Sequence, residues 1–350
     1  MITDLKVLTL VNWREEGKWL FFTWLKGKVR SVEVIQPIHF KADGFKKLTY
    51  VSKYLSEFYL PLLAVFRRKR YDMVICWQMR IGVVYGILKR IFHAGKPPFH
   101  IIQDFHIDLT QTSWHYKAQI GLMKMAIPGI DYFCCTSTEE EEIYSRMFHI
   151  PRDRIVFLPL VEGLHHFSIE PERANEDYIF SFGKSDRDYD TLVQAAASLN
   201  IRTYIVSAQY KPQVPLPANV TIFREYLPGN EITQWISASR IVVLPLQDYY
   251  ISAGQLSMLE AMALARPVIV TKNMATNEYA IEGESALFYS AGNAPELAEK
   301  IKYLWEHREK AERIGHEARQ AVWKQSDKRD VIFSRLLERC AMDIQKGEHP

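Results

Sequence analysis

The feature of this 350-residue chain that most restricts its fold is an alternation of short β-rich runs with longer helical stretches, which occurs twice. The first series has strand patterns at Lys6 to Trp13, Ser31 to Pro37, Tyr71 to Trp77, Phe99 to Phe105, Asp131 to Ser137 and Arg154 to Leu160. Helical stretches lie near Lys46 to Arg68, Arg80 to Phe92, Ser113 to Met125 and Thr138 to Phe148. Runs of β-branched and aromatic residues bounded by turn residues read as strands, and strands separated by helical patterns imply βαβ units and a parallel sheet. The second series has strand patterns at Tyr178 to Gly183, Arg202 to Ser207, Val220 to Phe223, Arg240 to Leu246, Arg266 to Thr271 and Ala286 to Ser290, and the tail from Pro295 to Gln345 is helical. Between the series, Val161 to Asp177 is polar, carries Gly and Pro and shows no sustained period, so the linker belongs there.

The chain is longer than one hydrophobic core usually supports. The economical reading is an α/β fold of two doubly wound parallel-sheet domains facing each other across a cleft. Domain 1–165 comes first and 166–326 second, and a C-terminal helix over 327–350 packs back on the first. In such sheets ligands bind outside the carboxyl ends of the strands, so the loops after the strands carry the chemistry.

Charge is uneven. The net +3 divides into 20 Lys and Arg against 9 Asp and Glu in residues 1–130, and 24 against 32 in residues 131–350. A basic N-terminal part of +11 beside an acidic remainder of −8 suggests an anionic partner. Nucleic acid is disfavoured because no binding motif accompanies the charge. An anionic membrane surface is the alternative. The basic, aromatic stretches Lys18 to Lys28 and Lys46 to Arg70 would lie on it, with aromatic rings at headgroup level. The competing reading makes those aromatics core and the charges a solvated face. Cys76, Cys134, Cys135 and Cys340 show no metal or redox spacing and read as reduced core residues. With no signal-peptide pattern and no spanning apolar run, the expected location is cytoplasmic, or peripheral on the inner face of a membrane.

The stretch ISAGQLSMLEAMALARPVIV, Ile251 to Val270, holds a loop, a helix and a buried strand. Gly254 lets backbone approach a ligand, and the free N–H groups of Gln255, Leu256 and Ser257 at the helix start suit an anion such as a diphosphate. Glu260 is a carboxylate among apolar neighbours, placed to accept hydrogen bonds from ribose hydroxyls. Its bland reading is a buried acid satisfied by local backbone.

The segments SMLEAMALARPVIVT and NEYAIEGESALFYSAGNAPELAEKIKYLWEH resemble the donor-binding half of the family 4 (group 1) glycosyltransferases, and FSFGKSDRDYDTLVQAA resembles the first strand, loop and helix of that half. The resemblance implies the GT-B fold of two Rossmann-like domains. It also implies a retaining transferase that moves a sugar from a nucleotide-diphosphate donor, a UDP-sugar first and a GDP-sugar next, to a glycan or lipid-linked acceptor in surface or exopolysaccharide biosynthesis. By the resemblance Lys184 and Arg187 clamp the diphosphate, Gly183 turns the chain and Glu260 meets the ribose. The base meets backbone near Tyr226 and Leu227 and in the loop after Val206. His106 sits near the sugar, with Asp104 beside it. Trp13 and Arg14, where the family has a glycine-rich loop, and Asp104 are acceptor contacts.

The family usually carries a second glutamate eight residues earlier, to touch the sugar; here Ser252 stands there, without the charge. No metal or other cofactor is expected, since the family's arrangement neutralises phosphate with Lys, Arg and a helix terminus. Competing readings are a solvated loop charge for Lys184, an ion pair with Asp188 or Asp190 for Arg187, and a structural histidine for His106. Glu139 to Glu142 read as the acidic first turn of a capped helix with no catalytic role. Alternative functions are a nucleotide-sugar epimerase of the same fold, or a catalytically silent sugar-nucleotide-binding partner of another transferase.

Overall fold

The structure, a computed structural model, describes residues 2–13, 20–38, 46–92, 98–161, 176–225, 227–247 and 252–347. The chain forms two compact units. The first comprises Met1–Ile107, Gln111–Gly163 and Arg329–Pro350, and the second Asp108–Thr110 and Leu164–Lys328. Most of the expected linker, 162–175, lies outside the described residues, as do Arg14 and Tyr226.

In the first unit the strands are β1 (Lys6–Leu10), β2 (Ser31–Ile35), β3 (Met73–Gln78), β4 (Phe99–Asp104), β5 (Tyr132–Cys135) and β6 (Ile155–Phe157), all parallel in the order β2-β1-β3-β4-β5-β6. Helices α1 (Leu20–Lys28), α2 (Lys46–Arg67), α3 (Met79–Ile91), α4 (Trp114–Ala126) and α5 (Thr138–Phe148) connect them. Strands buried on both faces are continuously apolar, as in β3 and β5.

Of the stretch from Lys18 to Lys28, Lys18 and Trp19 lie outside the described residues, and the apolar side chains Phe21, Phe22 and Leu25 face the core rather than a membrane. The stretch contains α1, and these three residues are buried with Trp77, Phe99 and Phe333 in one core cluster. Apolar side chains already covered by a sheet and a helix have no surface left to offer a bilayer. The four cysteines are buried and free.

In the second unit β7 (Ile179–Phe182), β8 (Thr203–Val206), β9 (Val220–Phe223), β10 (Ile241–Leu244), β11 (Val268–Thr271) and β12 (Leu287–Tyr289) run parallel in the order β12-β11-β10-β7-β8-β9. Helices α6 (Tyr189–Leu199), α7 (Gly229–Ala238), α8 (Gln255–Ala263) and α9 (Ala294–Glu306) alternate with them. The helical tail breaks at His307 before α10 (Arg308–Lys346). From Phe333 to Ala341, α10 supplies the first unit's core.

Strand order decides where a ligand can bind. The chain runs outward from β7 through β8 to β9, then returns to place β10 on the other side of β7. The loops after β7 and β10 therefore leave the sheet in opposite directions and open a crevice at that switch point.

Candidate functional site

The two loops at the switch point are Gly183 to Asp188 and the segment between β10 and α8, of which 245–247 and 252–254 are described. Gly183 has φ +120°, and a Cβ there would run into the Arg187 guanidinium. Arg187 fills the space beneath the turn. Its Nε donates to the Phe182 carbonyl at 3.1 Å, Nη1 to the Ser185 carbonyl at 2.7 Å and Nη2 to Ser257 Oγ at 3.0 Å. The backbones of Arg187 and Leu246 form an antiparallel bridge, and Gln247 Nε2 donates to the Arg187 carbonyl at 3.0 Å. Burial pulls the Arg187 pKa below its ordinary value. Asp188 caps α6 by accepting from Thr191 N, and Asp190 accepts from Tyr210 OH at 2.7 Å. The ion pair with either aspartate, weighed from sequence, is therefore replaced by bonds to carbonyls and a serine.

The Tyr189 hydroxyl donates to the Gly183 carbonyl at 2.8 Å, and burial pushes its pKa up to about 12. This brace was not foreseen. Nor was Asn273, whose Nδ2 donates to the Ala253 carbonyl at 3.3 Å while its Oδ1 accepts from Ala275 N and Thr276 N. The polar run TKNMAT after an apolar strand was the available signal, because an Asn side chain there bonds backbone two or three residues on.

Gly254 caps α8 with φ +87°, and a Cβ would lie 2.8 Å from Leu246 Cδ1. Gln255 is buried, Leu256 exposed and Ser257 half-buried. Ser252 is half-buried, and its Oγ is buried with no hydrogen-bond partner among the described residues.

Beside these loops the second unit holds an open pocket. Gly183 and Lys184 line it after β7, Ser207 and Ala208 after β8, Glu225, Leu227 and Ile232 around the start of α7, and Glu260 from α8. Its volume is about 240 Å3, below the ~300–1,000 Å3 of pockets that bury whole drug-sized ligands, so it takes part of a large ligand. The structure thus gathers Gly183, Lys184, Leu227 and Glu260 at one pocket, with Lys184 exposed at its rim. Arg187, Ser252 and the α8 start from Gly254 to Ser257 are not among its lining residues. Glu260, five residues into α8 from Gln255, lies about 7.5 Å along the axis from that helix start.

In the first unit His106 follows β4, and its Nδ1 is 3.2 Å from Glu140 Oε1. Glu140 is buried, and also accepts from Thr136 N at 2.8 Å, Thr136 Oγ1 at 3.1 Å and Tyr144 OH at 2.8 Å. A carboxylate can only accept, so Nδ1 carries a proton. Glu140 thus does more than complete the acidic first turn expected of it, although Ser137 does cap that turn by accepting from Glu140 N. Asp104 ends β4 half-buried, and burial raises its pKa, opposed by the His106 charge and aided by Glu140. Trp13 packs edge-on against Trp77, ring centroids 5.1 Å apart, on the first unit's core. Among the described residues no three His, Cys, Asp or Glu side chains group as metal ligands.

Residues 180–307 match the family described as Glycosyl transferases group 1. No curated protein matches the chain. Among solved structures, the chain is similar to a sucrose-phosphate synthase from Thermosynechococcus elongatus, with TM-score 0.69, 15% identity and coverage of 96% of this chain and 99% of that one. It is similar to Anabaena Alr3699/HepE in complex with UDP and glucose, with TM-score 0.66, 14% identity and coverage of 95% and 99%. A glycosyltransferase from Rickettsia africae gives TM-score 0.67, 14% identity and coverage of 97% and 99%. At these identities the structural likeness speaks for the fold, which is GT-B, with two Rossmann-like units. The family match runs from β7 to the end of α9, so the likeness of this chain to the group 1 glycosyl transferases lies in the second unit, where the pocket is.

Proposed function

We propose that this protein is a retaining glycosyltransferase that moves a sugar from a nucleotide-diphosphate donor to a glycan or lipid-linked acceptor in surface polysaccharide biosynthesis, on the cytoplasmic side of a membrane. The observation that carries the reading is the convergence of Lys184, Glu260 and the loop after β8 on one pocket inside the family-matched segment. A UDP-sugar is the first choice of donor and a GDP-sugar the second. The solved HepE structures hold UDP, and in one case UDP-glucose, which supports that order.

In this reading the nucleoside occupies the pocket, with Glu260 accepting from the ribose hydroxyls and the base against Ser207 and Leu227. The diphosphate lies toward Lys184 and the N–H groups at the start of α8. As the glycosidic C–O bond breaks, negative charge grows on the leaving diphosphate, and these fixed groups are worth most at that moment. Arg187 acts from beneath, holding the glycine turn and α8 in register. His106 hydrogen-bonds a sugar hydroxyl, and Asp104 lies two residues before it. Charge neutralisation by Lys184 and a helix terminus calls for no metal ion.

A thermal-shift panel with UDP, GDP, ADP and CMP, each at about 1 mM, tests the donor site. A ligand present at ~100 Kd stabilises by ~2.7 kcal/mol. A selective rise with one diphosphate that Glu260→Ala removes supports the reading; no rise with any of them overturns it. Turnover assays of Lys184→Ala then test the mechanism: kcat should fall by more than KM rises, because the interaction strengthens in the transition state. A serine at the position of the usual sugar carboxylate, its hydroxyl without a hydrogen-bond partner among the described residues, favours one other reading, a silent sugar-nucleotide-binding subunit. Binding of the donor without hydrolysis or transfer would select it.

A further inference from the structure

Helix α2 is apolar on two faces. One face carries Leu60, Ala64 and Val65 into a core cluster with β1, β3 and α3. The other stands in solvent. Leu48, Val51, Leu55, Phe58, Leu62 and Phe66 follow one another at intervals of three or four, which places them on one side of the helix, and all are exposed. Phe58 and Phe66 keep 64% and 71% of their surface accessible. Single exposed apolar side chains are ordinary, whereas a ridge of them in register marks a contact surface.

The charges around the ridge identify what it contacts. Glu57 is the one acid in α2, and it is half-buried and 3.6 Å from Arg80. The helix runs on into Arg68, Lys69 and Arg70, of which Lys69 and Arg70 are exposed, within a segment, residues 1–130, of net charge +11. A protein partner or a second copy of the chain would bury the ridge equally well but gives no reason for cations at its end. An apolar face on a helix with one half-buried acid, followed by exposed Lys69 and Arg70, fits the boundary between anionic headgroups and acyl chains. None of the described helices is long and apolar enough to cross a membrane, so the helix would lie on the bilayer.

We propose that the exposed face of α2 docks on an anionic lipid bilayer, with Phe58 and Phe66 inserted below the headgroups and Lys69 and Arg70 on lipid phosphate. The inference deepens the membrane-side reading above and rests on it.

Co-sedimentation of the full chain with vesicles tests it, using phosphatidylcholine alone and phosphatidylcholine with roughly one third phosphatidylglycerol. The expected result is partition onto the anionic vesicles that weakens as salt is raised. Phe58→Ser with Phe66→Ser should lower the partition coefficient at least ~10-fold, and Lys69→Glu with Arg70→Glu should abolish the preference for anionic lipid. Absence of partition at low salt overturns the proposal, as does unchanged binding of both double variants. A dimer that the phenylalanine variant converts to monomer, with no vesicle binding, assigns the ridge to a subunit interface and also overturns it. UDP stabilisation of the same preparations is a separate readout: its loss with vesicle binding intact supports the docking surface and sinks the donor site.

Discussion

Arg187 Nη2 donates to Ser257 Oγ at 3.0 Å, tying the turn after β7 to the first turn of α8 across 70 residues of sequence. With its other donors on the Phe182 and Ser185 carbonyls, the guanidinium is the strut on which the two loops of the crevice rest. Arg187→Ala should lower the stability of the second unit by roughly 2 kcal/mol, since hydrogen bonds to a charged group are worth ~1.5–3 kcal/mol. It should also weaken UDP stabilisation and reduce turnover. Arg187→Lys should not restore either property, because a single ammonium cannot reproduce the fork. Urea unfolding with and without UDP, together with turnover, checks this; unchanged turnover in Arg187→Ala would remove Arg187 from the site.

Gly254 is held at φ +87° with its α-carbon close to Leu246. Gly254→Ala adds a Cβ 2.8 Å from Leu246 Cδ1 and strains the backbone. The expected cost is on the order of 1–3 kcal/mol. Because the residue starts α8, the UDP-induced rise in melting temperature should shrink as well. Leu246→Ala in the same chain should recover only part of the loss, since it relieves the contact and leaves φ unchanged.

The buried carboxylate of Glu140 accepts from Thr136 twice, from Tyr144 and from His106. Glu140→Leu would strand these donors and should destabilise the first unit by about 3 kcal/mol or more. Glu140→Gln keeps the shape and tests the link to catalysis. If Glu140 acts through His106, the variant should lower kcat, and its combination with His106→Ala should be no slower than His106→Ala alone. Additive losses in that cycle would show that the two act independently.

His100 is fully buried on β4, with Nδ1 3.1 Å from the Gly129 carbonyl. Burial first, then the nearby Lys89 charge, push its pKa from 6.5 down to about 3. The folded state holds this histidine neutral while the unfolded chain takes up a proton below pH 6.5. Its contribution to stability is therefore complete above that pH and is lost progressively toward pH 3. At pH 5 the loss should be on the order of 2 kcal/mol. Thermal midpoints measured from pH 7 to 5 should fall, and His100→Gln should flatten the slope; an identical slope in the variant would assign the acid sensitivity to other groups.

Much of the architecture was legible in the chain itself. Runs such as MVICWQ and IVVL read as strands because β-branched and aromatic residues bounded by turn residues fit the pleated, buried surface of a sheet. Gly183 and Gly254 announced their turns: only glycine takes their positive φ without strain. The pairing of Glu260 with the loop after β7 was legible through family resemblance rather than through any local rule.

What the sequence determined by itself was local: the alternation of strand and helix, the glycine turns, and which residue types were available to bind phosphate and ribose. What only the tertiary structure decided was non-local. Placing β10 next to β7 turned Arg187 from an expected clamp into a strut bonded to Ser257. Folding α1 under Phe333 buried Phe21 and Phe22, while α2 keeps an exposed apolar ridge. Packing α5 beside β5 set Glu140 beside His106, where a run of four glutamates had read as the acidic first turn of a capped helix with no catalytic role. In each case the deciding contact joins residues far apart in the chain, and strand order and burial, which bring them together, depend on the packing of the whole unit rather than on any residue's neighbours in sequence.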